Sequence, residues 1–230
     1  MSLHFRRASD QQRVAWRNGA GLTTELASDP PDGGSTADFS WRVSMAEVTE
    51  DCDFSLFPNV DRTILLVEGA AMSLQLPEAE HTLTPYAPFR FDGAAEVRCR
   101  VSGPTRDLNV MTRRGQAKAT LSVEQISADQ APLTLAKADP LVIVCLDGSV
   151  TLETANTSVA MGAGDVAELD EPLRSTGNGH IAVIRIEPST APNAPSGNHN
   201  LDPLSRARLP ARDAVPRLNR LNRRCVTAST

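Results

Sequence analysis

The sequence predicts an all-β fold of antiparallel strands, on three observations. Apolar and polar residues alternate at period two in several short runs. Gly, Pro and Asp punctuate those runs, and up to residue 187 almost no stretch carries helical periodicity. The clearest alternation is FSWRVSMAEV at 39–48, where Phe39, Trp41, Val43 and Met45 take one face and Ser40, Arg42, Ser44 and Ala46 the other. Further strands are expected at 62–69, 71–76, 87–93, 96–103, 107–111 and 118–126, then at 140–148, 149–155, 164–169 and 180–188. A short helix is expected over QISADQA or within the tail. Many short strands at regular spacing indicate a sandwich or barrel.

Two segments share one pattern. ILLVEGAAMSLQL at 64–76 and VIVCLDGSVTLET at 142–154 each read as an apolar strand, an acid–Gly pair and a second strand. The acid–Gly pair reads as a hairpin turn, because glycine accepts the positive φ that such turns need. MGAGDVAEL then adds a Gly-x-Gly-Asp turn at 162–165 leading into another strand. This is the cadence of a cupin-type jelly roll, and two copies would make a bicupin. Residues 1–115 would form the N-terminal half, 116–187 the C-terminal half, and 188–230 a weakly structured extension. A single irregular sandwich would show the same turns.

Bulk properties narrow the class. A chain of 230 residues with 40% apolar content can bury a sizeable core. No run of eighteen apolar residues occurs, which argues against a transmembrane helix, and MSLHFRRASD has no apolar segment of a secretory signal. Cysteines at 52, 99, 145 and 225 are far apart with no CxxC pair, as expected for free thiols in a reducing cytoplasm. The net charge of −5 divides unevenly: seven arginines against two aspartates put +5 on residues 188–230 and leave −10 on residues 1–187. An acidic body disfavours nucleic acid as the main partner. The Pro/Asn-rich, basic tail reads as a solvated extension, or one folded back on the acidic body.

The chemistry of the chain is notable for what it omits. Its histidines, His4, His81, His180 and His199, are all more than four residues apart, so no strand-borne metal triad is expected. There is no GxSxG motif, no cysteine with an evident histidine partner and no phosphate-cradling loop. No metal and no cofactor is therefore expected. Polar side chains concentrate instead in the first half, in WRNGAGLTTE (16–25), WRVSMAEV (41–48), DFSLFPNVDRTI (53–64), FDG (91–93) and GPTRDLNVMTRR (103–114). A strand whose polar side faces inward lines a cavity rather than a packed core. Arginine with hydroxyl and amide neighbours suits a carboxylate. Taken singly, Asp61-Arg62 and Arg106-Asp107 read as structural salt bridges at turns.

In series these blocks resemble the HutD/Ves family. The family pattern W-[KR]-N-G-G-G-x-T-x-E is met by Trp16, Arg17, Asn18, Gly19, Gly21, Thr23 and Glu25, with Ala20 departing from glycine. W-R-x-S-x-A is met by Trp41, Arg42, Ser44 and Ala46. F-S-x-F-P-x-x-D-R is met by Phe54, Ser55, Phe57, Pro58, Asp61 and Arg62. Phe91-Asp92-Gly93 follows, and then D-x-N-[VL]-M-x-R at Asp107, Asn109, Val110, Met111 and Arg113. The resemblance spans roughly residues 3–187 and is strongest before 115. It implies a bicupin without a metal site, and a role in histidine utilisation through binding an acidic intermediate such as N-formylglutamate.

The expected site follows. Arg17, Asn18, Arg42, Ser44 and Arg62 are the candidate donors to ligand carboxylates, Thr23, Glu25, Asp61 and Asn109 shape the site, and Trp16, Trp41 and Phe57 wall it. The leading expectation is a cytoplasmic, non-enzymatic binding protein for a small carboxylate; a homodimer is allowed and no membrane is involved. The alternative is a metal-independent cupin enzyme, an isomerase, epimerase or amide hydrolase, with Glu25 or Asp61 as general base. A third reading is an interaction protein acting through its basic tail.

Overall fold

The structure, a computed structural model, describes residues 3–16, 19–31 and 39–189. The basic tail expected at 188–230 lies almost wholly outside the described residues. Seventeen strands form among those described. In chain order they begin with β1 (His4–Arg6), β2 (Arg13–Ala15), β3 (Gly21–Asp29), β4 (Trp41–Val48), β5 (Cys52–Asp53) and β6 (Val60–Glu68). Next come β7 (Met72–Gln75), β8 (Glu80–Thr82), β9 (Phe89–Asp92), β10 (Arg98–Val101), β11 (Thr105–Arg113) and β12 (Ala117–Ile126). The last are β13 (Leu133–Leu135), β14 (Leu141–Glu153), β15 (Ser158–Gly162), β16 (Val166–Leu169) and β17 (Leu173–Pro188). The described residues contain no α-helix. QISADQA, read as a possible helix, is instead the end of β12 and a turn in which Gln130 N–H donates to Ser127 O.

The fold is a bicupin of three antiparallel sheets. The first runs β2-β3-β4-β11-β6-β9 and the second β5-β10-β7-β8. The third runs β1-β16-β14-β17-β12, with β13 on β17 and β15 on β14. Strand alternation decides what each face meets. In β6, Ile64 and Leu66 point toward the second sheet, where they pack with Met72, Leu74 and Cys99. Leu65 and Val67 point the other way, joining Val43, Met45, Leu108 and Val110 against Val142, Val144, Ala182 and Ile184 of the third sheet. The intervening residues of β14, Leu141, Ile143 and Cys145, enter a separate core with Met161, Leu173, Ile181 and Val183. A strand covered on both faces must be apolar throughout, which is why LVIVCL is an unbroken hydrophobic run.

Neither acid–Gly pair is a hairpin, contrary to the sequence expectation. Glu68 ends β6 in the first sheet and Gly69 leads to β7 in the second, so that pair is a corner between sheets. Asp147 and Gly148 lie inside the single long strand β14, at a register shift against β17 between Cys145 and Asp147. Gly148 has φ +68°, and a Cβ there would stand 2.2 Å from Asn178 O. Glycine is needed at Gly148 for a bulge, not a turn.

Beyond the shared core, β1 and Tyr86 also tie the halves together. β1 leaves the N-terminal segment to pair with β16, and Asp165 accepts hydrogen bonds from Arg7 Nη1 (2.9 Å) and Ala8 N (2.8 Å). Tyr86, packed against the core between the first and third sheets, donates its hydroxyl to Asp147 at 2.7 Å and stacks on His180.

Candidate functional site

The first sheet presents a polar face to a cavity of about 1100 Å³. Register organises that face into three rows running across the strands. Thr23, Ala46 and Asp107 form one row, Glu25, Ser44 and Asn109 the next, and Ser28, Arg42, Met111 and Arg62 the third. All ten line the cavity. On β4 and β11 the arrangement follows from simple alternation, since Trp41, Val43, Met45, Leu108 and Val110 occupy the opposite face.

On β3 alternation alone would fail. Glu25 and Ser28 are three residues apart and would point to opposite sides of a regular strand. A register shift between Glu25 and Ala27 adds Leu26 as an extra residue and returns Ser28 to the cavity side. Ser28 then donates its hydroxyl to Glu25 Oε1 at 2.8 Å, while Arg42 Nε donates to Oε2 at 2.7 Å. Both carboxylate oxygens of Glu25 are thus engaged. Arg42 uses only Nε in this pair, and its terminal nitrogens have no hydrogen-bond partner among the described residues.

The loop before β3 builds one wall. Trp16 N–H donates to Gly21 O at 2.9 Å, Gly19 N–H donates to Trp16 O at 3.1 Å, and Trp16 Nε1 donates to Thr23 Oγ1 at 2.6 Å. A Cβ on Gly21 would meet Glu47 O at 2.4 Å and the Trp16 ring at 3.1 Å, so only glycine lets the indole lie over this strand. Arg17 and Asn18, expected as donors, lie outside the described residues.

Arg62 is buried in the cavity wall. Its residue is 5% exposed, and its guanidinium carbon lies 5.0, 5.7 and 4.8 Å from the ring centroids of Phe54, Phe57 and Phe91. The Gly93 turn holds two of these rings in place: Phe57 N–H donates to Gly93 O, and Gly93 N–H to Val60 O. Arg62 Nη2 donates to Asn109 Oδ1 at 2.8 Å, and Asn109 Nδ2 donates to Asp107 Oδ1. Arg62 Nε and Asp107 Oδ2 are buried without a partner among the described residues. Burial lowers the Arg62 pKa to about 10, against the pull of Asp107 and with the repulsion of Arg42. Burial likewise pushes the Asp107 carboxyl up to about 7, opposed by Arg62 and by the Asn109 hydrogen bond.

The structure gathers Trp16, Thr23, Glu25, Arg42, Ser44, Phe57, Arg62 and Asn109 on one cavity. Two expected members do not join them. Asp61 is turned outward, 41% exposed at its side chain, and accepts from Arg114 Nε at 2.8 Å. It neighbours Arg62 on a strand, and neighbours on a strand point to opposite faces. Trp41 is part of the core between the first and third sheets for the same reason. Asp107 and Ser28 were missed as site residues. The alternation Asp107-x-Asn109-x-Met111 carried the signal for the first, whereas nothing in the sequence marks the bulge that places the second. Among the described residues no group of three or more His, Cys, Asp or Glu could hold a metal ion, and no helix is long and apolar enough to cross a membrane.

Comparisons with known proteins agree with this architecture. A conserved protein of unknown function from Pseudomonas aeruginosa superposes with a TM-score of 0.71 at 27% identity, covering 81% of this chain and 100% of that one. HutD from Pseudomonas fluorescens SBW25, solved in a formate condition, gives 0.69 at 27% identity, covering 81% and 99%. Protein Ves of Citrobacter koseri is 44% identical over 111 residues, which is 47% of this chain and 56% of that protein, so the match spans about half of the curated relative. With the HutD family pattern matching residues 8–183, from the first turn to the last core strand, the chain belongs to the HutD family.

Proposed function

We propose that the protein is a non-enzymatic, cytoplasmic binding protein whose cavity takes a small acidic ligand between Arg42 and Arg62. The observation that carries this reading is the Arg62 guanidinium, buried in an aromatic box with Nε unpartnered and facing the same cavity as a second arginine. A buried cation with an unused donor is costly unless an anion completes it. A carboxylate does so with charge-assisted hydrogen bonds, and two arginines on the strands either side of β11 suit a ligand with two acidic groups. The unpaired Asp107 Oδ2 supplies an acceptor for a ligand N–H. An N-acylated acidic amino acid such as N-formylglutamate meets all three requirements, and by kinship with HutD its binding would govern histidine utilisation.

Calorimetric titration with N-formyl-L-glutamate, L-glutamate and urocanate tests the reading. Saturable heat with the first, lost in Arg42→Ala, is expected. Silence from all three at millimolar concentration would leave the reading without support.

A metal-independent enzyme is the second reading, and Asp107 is what favours it. A carboxyl with a pKa of about 7, on a residue that lines the cavity and with one buried oxygen unpartnered among the described residues, can exchange a proton near neutrality. Glu25 and Asp61 are poorer general bases, the one occupied by Ser28 and Arg42 and the other outside the cavity. Turnover of any bound ligand, abolished by Asp107→Asn with binding retained, would promote this reading over the first.

A further inference from the structure

We propose that Cys52 and Cys99 form a site of reversible oxidation, closing to an intrachain disulfide beside the cavity when the protein meets a peroxide. The sequence separates these cysteines widely, but the second sheet sets them directly opposite one another on the antiparallel pair β5–β10. Phe54 N–H donates to Val97 O in the same ladder, and hydrogen-bonded pairs recur every second residue, so Cys52 and Cys99 form the next such pair. Opposed residues of that kind have Cα atoms about 5.5 Å apart, inside the range that disulfides span. Both side chains enter one core, between the first and second sheets.

The two thiols also bias each other's ionisation. The neighbouring Cys99 thiol holds Cys52 below the usual thiol range against burial and the charges of Asp107, Asp53 and Asp51. Cys52, with burial, raises Cys99. Cys52 is thus the nucleophile and Cys99 the resolving thiol. Access has the same polarity: β5 is a two-residue strand at the edge of its sheet, and Cys52 is 8% exposed where Cys99 is fully buried. Cys145 has no cysteine opposite it and hydrogen-bonds Asp147 O instead, so it serves as an internal control.

The step balances with peroxide as oxidant. The Cys52 thiolate attacks one peroxide oxygen, the O–O bond breaks, and water leaves after protonation, giving a sulfenic acid. Cys99 sulfur then displaces the sulfenic hydroxyl as a second water and the S–S bond forms. Two thiols lose two electrons and one peroxide becomes two waters; an external dithiol reverses the change. Phe54 follows Cys52 by two residues and lies over Arg62, so the closed form fastens one wall of the cavity to β10.

The test uses the full reduced chain, exposed to a small molar excess of hydrogen peroxide, alkylated and mapped without reduction. A peptide cross-linked between Cys52 and Cys99 is expected as the main product, with Cys145 still alkylated and both thiols recovered after dithiothreitol. Cys52→Ser should give no cross-link and leave Cys99 alkylatable. Recovery of Cys52 as a free thiol, a sulfinate or an intermolecular disulfide while Cys99 stays reduced would overturn the proposal. So would a cross-link that forms only in denaturant.

Discussion

Arg42 and Arg62 both stand opposite Met111, one on each neighbouring strand, and so face the same cavity two strand spacings apart. That is about 10 Å between their Cα atoms, close enough for the long side chains to converge. Their like charges repel, and Arg42 adds to the lowering of the Arg62 pKa. A dianion between them removes the repulsion and should stabilise the fold by mass action, by about 2.7 kcal/mol at a hundred times Kd. N-formyl-L-glutamate is therefore expected to raise the melting temperature in a thermal-shift assay, and Arg62→Met to abolish the rise. An unchanged rise in Arg62→Met would remove Arg62 from the site.

Gly21→Ala should loosen the Trp16 wall. The new methyl meets a backbone oxygen at 2.4 Å, and β3 cannot retreat without breaking its pairing with β4. Overpacking of this kind costs about 1–3 kcal/mol, to be read from urea denaturation, and tryptophan emission should shift red as the Trp16 indole lifts off the strand. Trp41 is buried elsewhere and supplies the constant part of the signal.

How far the sequence revealed the site depends on which interactions set each position. Period-two alternation exposed Arg42, Ser44 and Ala46, because β4 has one face on a core and one on the cavity. The run within 140–148 read simply as an apolar strand, and its burial on both faces emerges only from the two cores it separates. The bulge at Leu26 was hidden, since it is a choice of hydrogen-bond register that no side chain declares. Glycine marked Gly69 and Gly148 as special but could not say which partner required it, so a corner and a bulge both resembled hairpins. The Cys52–Cys99 pairing depends on strand order, which local sequence does not encode.

Asp61→Asn should leave ligand affinity unchanged, although Asp61 shares a sequence block with Arg62. Among the described residues its carboxylate accepts from Arg114 alone, which also bridges Asp92 at 3.0 Å, and the group is open to solvent. Exposed ion pairs contribute little. Calorimetry on this variant separates the two neighbours: a loss of affinity comparable to that of Arg62→Met would mean that Asp61 reaches the cavity in solution.

Asp107 should make stability fall as pH rises from about 4 to about 7. Its carboxyl titrates near the ordinary carboxylate value when unfolded and at about 7 when folded, so between those values the folded state binds more protons. Stability then declines with pH across that window and is level above it. Three units correspond to about 4 kcal/mol, an upper bound because Arg62 lies close and buried networks relax. Asp107→Asn keeps the shape and the neutral charge of the low-pH form. It should flatten the pH profile of urea midpoints between pH 5 and 8 and exceed the wild type most at the alkaline end. Identical slopes for the two proteins would show that Asp107 ionises in the ordinary range, and with that the proton-exchange chemistry of the second functional reading would lose its group.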